Sequence, residues 1–208
     1  KLAIVDKTWK FVDKSVIYTT EPQKKIAEAE QTLLDLGKKY QVDLIVIGNG
    51  TASRESEKVV ADFIRNHKLK LQYMITSEAG ASVYSASELA QQEYPDLDVT
   101  IRGAISIAHR VQNPLAELTK IDPKAIGVGQ YQHDVDQKFL KEKLNEKVED
   151  VVNAVGVDVN TASYTLLQYI AGLSLTVARN VVAYRDENWA FTDKKQIKKV
   201  KGLWPKAY

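Results

Sequence analysis

Thr161-Ala162-Ser163-Tyr164-Thr165-Leu166-Leu167-Gln168-Tyr169-Ile170-Ala171-Gly172-Leu173-Ser174-Leu175-Thr176-Val177-Ala178, continuing to Asn188, is the stretch whose reading decides the second half of the fold. Leu166, Tyr169 and Ile170 share one face of a first short helix. Val177, Val181 and Val182 share one face of a second, which predicts two amphipathic helices joined by a turn. Gly172 supplies the left-handed backbone position that closes the first helix, Asn160 reads as the N-cap of that helix, and Ser174 or Thr176 reads as the cap of the next. The open amides at such a turn can hold a phosphate, or the hairpin can simply pack.

The pattern extends in both directions. Downstream, Phe191-Thr192-Asp193 starts a further helix, and Val200-Lys201-Gly202-Leu203-Trp204-Pro205 has the layout of a second hairpin, so the unit is repeated. Upstream, Phe139, Leu144, Val148, Val151, Val152 and Val155 describe a long amphipathic helix ended by Gly156. Ile126-Gly127-Val128-Gly129-Gln130-Tyr131 reads as an extended connector. Its two glycines lack the rest of a nucleotide fingerprint and its strand-to-helix setting.

The first half alternates differently. Leu2 to Val5 and Phe11 to Tyr18 are rich in β-branched and aromatic residues around the polar Asp6-Lys7-Thr8, predicting an antiparallel hairpin. Pro22 opens a helix with Ile26, Ala29, Leu33, Leu36 and Tyr40 on its buried face. Leu44-Ile45-Val46-Ile47 is a continuous apolar run, as in a strand buried on both faces. Val59, Val60, Phe63 and Ile64 mark the next helix, and Leu71 to Ile75 the next strand. Helices over 82–91 and 101–112 follow, the second stopped by Asn113-Pro114. A β-hairpin followed by a strand, helix, strand unit predicts a ribonuclease H-like architecture.

Composition narrows the function. The chain has 208 residues, 44% hydrophobic, with 29 basic and 27 acidic side chains and a net charge of +2, so it reads as a globular, soluble protein whose bulk charge by itself selects no partner. It has no cysteine, which excludes disulfides and thiolate metal sites. His67, His109 and His133 have no metal-ligand spacing and read as ordinary residues. No membrane span or signal peptide is visible. A start at Lys1 and an end at Tyr208 read as a piece of a longer protein. The charge has a location: Lys194, Lys195, Lys198, Lys199, Lys201 and Lys206 crowd the end of the chain beside Asp193, with Trp189, Trp204 and Tyr208 nearby. Cations flanking a helix-hairpin turn suit contact with a phosphate backbone without base readout.

Nucleases of ribonuclease H architecture gather several carboxylates at strand ends to hold two metal ions. Here the strand ending at Ile47 runs into Gly48-Asn49-Gly50-Thr51, Glu78 is the one acid placed just beyond the next strand, and Arg102 stands near where a last acid would be expected. That arginine would repel a metal and attract a phosphate or an internal carboxylate. Glu78 reads either as a first-turn helix acid or as a site acid. Asn49, Thr51, Ser53 and Arg54 form a candidate anion loop, with capping of the following helix as the alternative. No Ser-His-acid or Cys-His arrangement can be drawn.

Gly48-Asn49-Gly50-Thr51-Ala52-Ser53-Arg54-Glu55, the run Ser77 to Glu88, Ile121-Asp122-Pro123-Lys124 with Gly127 to Val135, and the run Val152 to Ala162 resemble the Tex family of bacterial transcription accessory proteins over nearly the whole chain. The resemblance implies an α/β, then all-α chain: a ribonuclease H-like, YqgF-type domain lacking its first strand over 1–115, a connector over 116–134, and a tandem helix-hairpin-helix domain over 135–208. It implies a domain without nuclease activity, sequence-independent binding of RNA or DNA, association with RNA polymerase or ribosome-associated factors, no cofactor, no metal and a cytoplasmic setting. The nucleic-acid contacts would be Gly172, Ser174, Thr176, Lys194, Lys195, Lys198, Lys199, Lys201, Gly202 and Lys206. A structure-specific nuclease and a protein-interaction scaffold are the alternatives. The missing first strand should leave a gap in the sheet, a rearranged sheet or an open edge. Ser174 and Trp204 stand where the family pattern has a second glycine. The serine is a mild change, whereas the tryptophan would block a phosphate or stack on a base.

Overall fold

The computed structural model describes residues 1–127, 129–188 and 190–203. Val128, Trp189 and the residues from Trp204 to Tyr208, Lys206 among them, lie outside the described residues. The chain divides into two compact units, Lys1–Pro114 and Leu115–Tyr208.

In the first unit β1 (Leu2–Val5) and β2 (Phe11–Ser15) pair antiparallel, with a register shift between Ile4 and Val5. Asp6 makes the turn: its carboxylate accepts from the Thr8 hydroxyl, the Thr8 amide and the Lys10 amide. These bonds take up amides that the short loop would otherwise leave open. Helix α1 (Ile26–Tyr40) buries Ala29 and Leu33 and starts four residues after Pro22. Strand β3 (Leu44–Gly48), helix α2 (Ser53–Asn66) and strand β4 (Gln72–Thr76) form the expected unit, with Leu44 opposite Gln72 and Gly48 opposite Thr76 in parallel register. The helix foreseen over 82–91 is two, α3 (Ala81–Ser85) and α4 (Glu88–Glu93). Ser87 separates them because its hydroxyl caps the Ala90 amide, a bond that competes with helix continuation.

The described strands make two separate pairs, β1 with β2 and β3 with β4, and no hydrogen bonds join the pairs. Helix α5 (Val99–Gln112) packs against β1, β3 and β4 and so holds both pairs. The Asp98 carboxylate caps it by accepting from the amides of Thr100 and Ile101. Its buried face is Ile101, Arg102, Ile105, Ser106, His109 and Arg110. His109 is one of the interior residues, with its ring stacked on Trp9 at 4.7 Å and Nε2 3.1 Å from the Trp9 carbonyl, which pins the hairpin tip.

The second unit is helical. Helix α6 (Pro114–Leu118) and single 3-10 turns at Pro123–Ala125 and Gln132–Asp134 fall in and around the connector expected over 116–134, and none of them enters 126–131, the part expected to be extended. The Asp122 carboxylate caps the first of these turns at the Lys124 amide, local chemistry that a weak apolar period does not announce. Helix α7 (Gln137–Val155) ends at Gly156 with φ 80°. Helix α8 (Tyr164–Leu167), helix α9 (Leu175–Asn188) and a 3-10 helix over Lys194–Lys199 complete it. No helix among the described residues is long and apolar enough to cross a membrane.

Candidate nucleic-acid interface

Two turns thirty residues apart have the same construction. The first is prepared by Ser163, whose hydroxyl caps the Leu166 amide, and the second by Asp193, whose carboxylate caps the Lys195 amide. In the first, the amides of Ile170 and Leu173 donate to the carbonyls of Leu167 and Ile170. In the second, those of Val200 and Leu203 donate to Ile197 and Val200. Both pass through glycine in the left-handed region, Gly172 at φ 84° and Gly202 at φ 87°. A side chain at either position would strain the backbone, which is why glycine recurs there.

The cap of α8 is Ser163, not Asn160 as the sequence suggested. Asn160 is engaged elsewhere: its Oδ1 accepts from the Phe191 amide at 2.7 Å and its Nδ2 donates to the Phe191 carbonyl at 3.0 Å. A long-range backbone partner outcompetes a local cap, and local reading has no signal for it. Ser174 does cap α9, accepting from the Val177 amide at 3.3 Å. Among the described residues, no hydrogen bond takes up the amides of Gly172, Ser174, Leu175 and Thr176, the donors that a helix start leaves open. Gly172, Ser174 and Thr176 are exposed.

Asparagines on neighbouring helices hold both turns. Asn153 of α7 donates to the Tyr169 carbonyl at 2.8 Å and accepts from the Ala171 amide at 2.9 Å. Asn180 of α9 donates to the Lys201 carbonyl at 2.8 Å. Lys194, Lys195, Lys198, Lys199 and Lys201 are exposed around the second turn. The first turn has no lysine at the equivalent positions, but Arg179 lies one turn beyond Thr176 on α9, its guanidinium 5.2 Å from the centre of the Tyr164 ring. Arg179 is a cation that the sequence reading passed over. Its spacing of three from Thr176 was the available signal.

The other sequence candidates lie in the first unit. Arg102 is buried and donates through Nε to the Tyr94 carbonyl at 3.0 Å, with longer contacts to Ser85 and Pro95 carbonyls, so it braces backbone instead of attracting a phosphate or carboxylate. Arg110, two turns further along the same buried face, donates through Nη1 to the carbonyls of Ser77 and Ala79, each at 2.8 Å. It was missed because the lone arginine near a helix end carries no motif. The Asn49 side chain of the proposed anion loop accepts from the Glu78 amide. The Glu78 carboxylate lies against the loop: a Cβ at Gly50 would fall 1.4 Å from Oε1 and one at Gly48 2.4 Å from Oε2. Thr51 and Arg54 are exposed and Ser53 is half-buried. Among the described residues no three His, Asp or Glu side chains gather as metal ligands would.

Comparison with known sequences gives two matches in order along the chain. The Tex protein YqgF-like domain family covers residues 1–112, and the helix-hairpin-helix motif family covers residues 152–208. The chain is similar over its whole length to Protein tex of Bordetella pertussis at 56% identity, to Transcriptional accessory protein Tex of Neisseria gonorrhoeae at 54%, and to human S1 RNA-binding domain-containing protein 1 at 48%, covering 26%, 27% and 21% of those proteins. It therefore spans about a quarter of the length of the relatives it matches.

Proposed function

Since the chain belongs to the Tex family, with a YqgF-like domain followed by helix-hairpin-helix motifs, we propose that it is a non-catalytic segment that binds RNA or DNA through its phosphate backbone. The observation that carries this reading is the pair of glycine turns, with amides outside any backbone hydrogen bond at one and exposed lysines at the other. Amides at a helix start and exposed cations both recognise phosphate, and contacts made to the backbone carry no sequence information, so binding through them is sequence-independent. The name of the gonococcal relative, Transcriptional accessory protein Tex, supports work beside the transcription machinery, and the proposal includes polymerase or ribosome-associated factors as partners and a cytoplasmic setting.

Replacing Lys194, Lys195, Lys198 and Lys199 by glutamate tests the reading. Affinity for any sequence should fall, and the dependence of log K on log salt should flatten by at least about three. Identical titrations for both proteins would refute it. Lys206 joins the test as a fifth substitution on sequence grounds. Catalytic inactivity is tested with branched and single-stranded substrates in Mg²⁺ or Mn²⁺: cleavage that disappears in Glu78→Gln would establish the nuclease reading instead.

A second reading has a specific observation behind it. Leu118, Ile121, Leu144, Val148, Val151 and Tyr169 line an apolar groove of about 240 Å³ in the second unit. A protein-docking scaffold would use such a groove, and it gains ground if the chain binds no nucleic acid at low salt.

A further inference from the structure

Helix α7 is amphipathic, yet its apolar face is largely uncovered. Among the described residues of α7 only Val152 is buried, while Val151 is 45% and Val155 70% exposed. Leu140, Leu144 and Val148 are half-buried beside them, and Leu144, Val148 and Val151 form one wall of the apolar groove, opposite Leu118 and Ile121. At about 100° per residue, Leu140, Leu144, Val148, Val151 and Val155 fall in one stripe roughly 22 Å long. A continuous apolar stripe open to solvent is a surface for another helix.

Two features of the stripe decide what covers it. Its spacing is palindromic: Leu140 and Val155, and likewise Leu144 and Val151, lie at equal distances from a midpoint between Lys147 and Val148. A two-fold axis at that midpoint stacks Leu140 on Val155 and Leu144 on Val151 of a second copy. The charge is antisymmetric about the same point. Residues 137–147 carry four lysines and two glutamates, whereas residues 148–155 carry Glu149 and Asp150 and no cation. Antiparallel copies set a basic half against an acidic half, and parallel copies would set like against like. We infer that α7 is a self-association helix, packed antiparallel on α7 of a second copy, whose apolar side chains enter the groove. The ion pairs that α7 makes within itself, Lys143 with Glu146 and Lys147 with Asp150, are exposed and three residues apart, so they contribute little and give way to Lys143 against Asp150 of the second copy. This deepens the docking reading above by naming the occupant of the groove, and it does not depend on nucleic-acid binding.

Sedimentation equilibrium of the 208-residue chain over a concentration series tests the inference. The interface is at the small end of the stable range, so dissociation is expected on the order of 10 µM. The mass should climb from 23.3 kDa toward twice that value across this concentration. Val155→Glu, at an exposed position on the end of the stripe, should weaken association about tenfold or more by placing a charge against Leu140 of the second copy. Lys143→Glu should weaken it as well, and Lys143→Glu with Asp150→Lys should restore it, because the two-fold axis then pairs opposite signs again. All three positions are exposed, so the variants keep the core of the unit. A mass that stays at 23.3 kDa throughout would overturn self-association while leaving the groove to a different protein. A dimer indifferent to Val155→Glu, or a charge-swapped chain that associates no better than Lys143→Glu alone, would overturn the antiparallel α7 interface.

Discussion

Gly50 and Glu78 show how a single position can be dictated from outside its own loop. The Glu78 carboxylate occupies the space where a side chain at residue 50 would begin. Gly50→Ala should therefore push the acid out of its place. Because a carboxylate at the end of a flexible chain can swing away, the cost should be about 1 kcal/mol. Thermal unfolding of Gly50→Ala with and without Glu78→Ala measures this, and the cost should vanish in the double variant. Asp13 makes a second residue-scale prediction. The Tyr40 hydroxyl first, then the Lys14 amide and the Lys39 ammonium, hold its carboxyl down at about 2 from an ordinary 3.8. A depressed folded value stabilises the fold above the unfolded one, so this contribution is complete above about pH 4 and disappears as pH falls toward 2. Tyr40→Phe should shrink that acid limb of a stability profile, and an identical limb in both proteins would contradict the assignment.

At the scale of elements, the informative cases are those in which a distant group overrides a local preference. Asn160 has the residue type and place of an N-cap, yet it bonds the Phe191 backbone, and Ser163 three residues on takes the cap. Arg102 and Arg110 lie on the buried face of α5 and satisfy loop carbonyls instead of facing a ligand. A buried ion pair closes the end of α6, where Nζ of Lys120, two residues beyond the helix, is 3.1 Å from Glu117 Oε2 and the two side chains are 4% and 0% exposed. Taking the ammonium away from a buried carboxylate weakens the pairing that offsets its desolvation, so Lys120→Met should destabilise the fold, with about 3 to 5 kcal/mol as the upper range. Glu117→Leu with Lys120→Met should recover most of this, because an apolar pair escapes the desolvation penalty. Denaturant melts of the three variants check both statements. A single variant as stable as the parent would mean that the pair is not desolvated in solution.

Over the whole chain, charge separates sharply although the net value is small. Residues 1–114 carry fifteen basic and fifteen acidic side chains, and residues 190–208 carry six lysines and one aspartate. Phosphate binding is therefore expected to map to the lysine-rich end of the second unit, and pooled substitution of exposed basic residues in 1–114 should leave the salt slope unchanged. Titration of Lys58→Glu with Arg65→Glu provides the control, since both lie on α2 outside the proposed site. A slope reduced as much as in the Lys194, Lys195, Lys198 and Lys199 variant would place contacts in the first unit as well.

Much of the fold was legible because local physics governs it. The run Leu44 to Ile47, the 3.6-residue period of α1, α2, α5 and α7, and the glycines at 172 and 202 each announce a backbone state through their own neighbours. The repeated hairpin and the clustered lysines were legible for the same reason. What the chain order could not convey is which groups meet after folding. That the strands stay in two pairs bridged by α5, that Arg102 and Arg110 are spent on carbonyls, that Glu78 fills the glycine loop, and that Asn180 brings the second turn onto α9 all depend on contacts between distant residues. Periodicity shows which face of an element is buried. Only the tertiary structure decides what that face is buried against, and so which polar groups remain to meet a ligand.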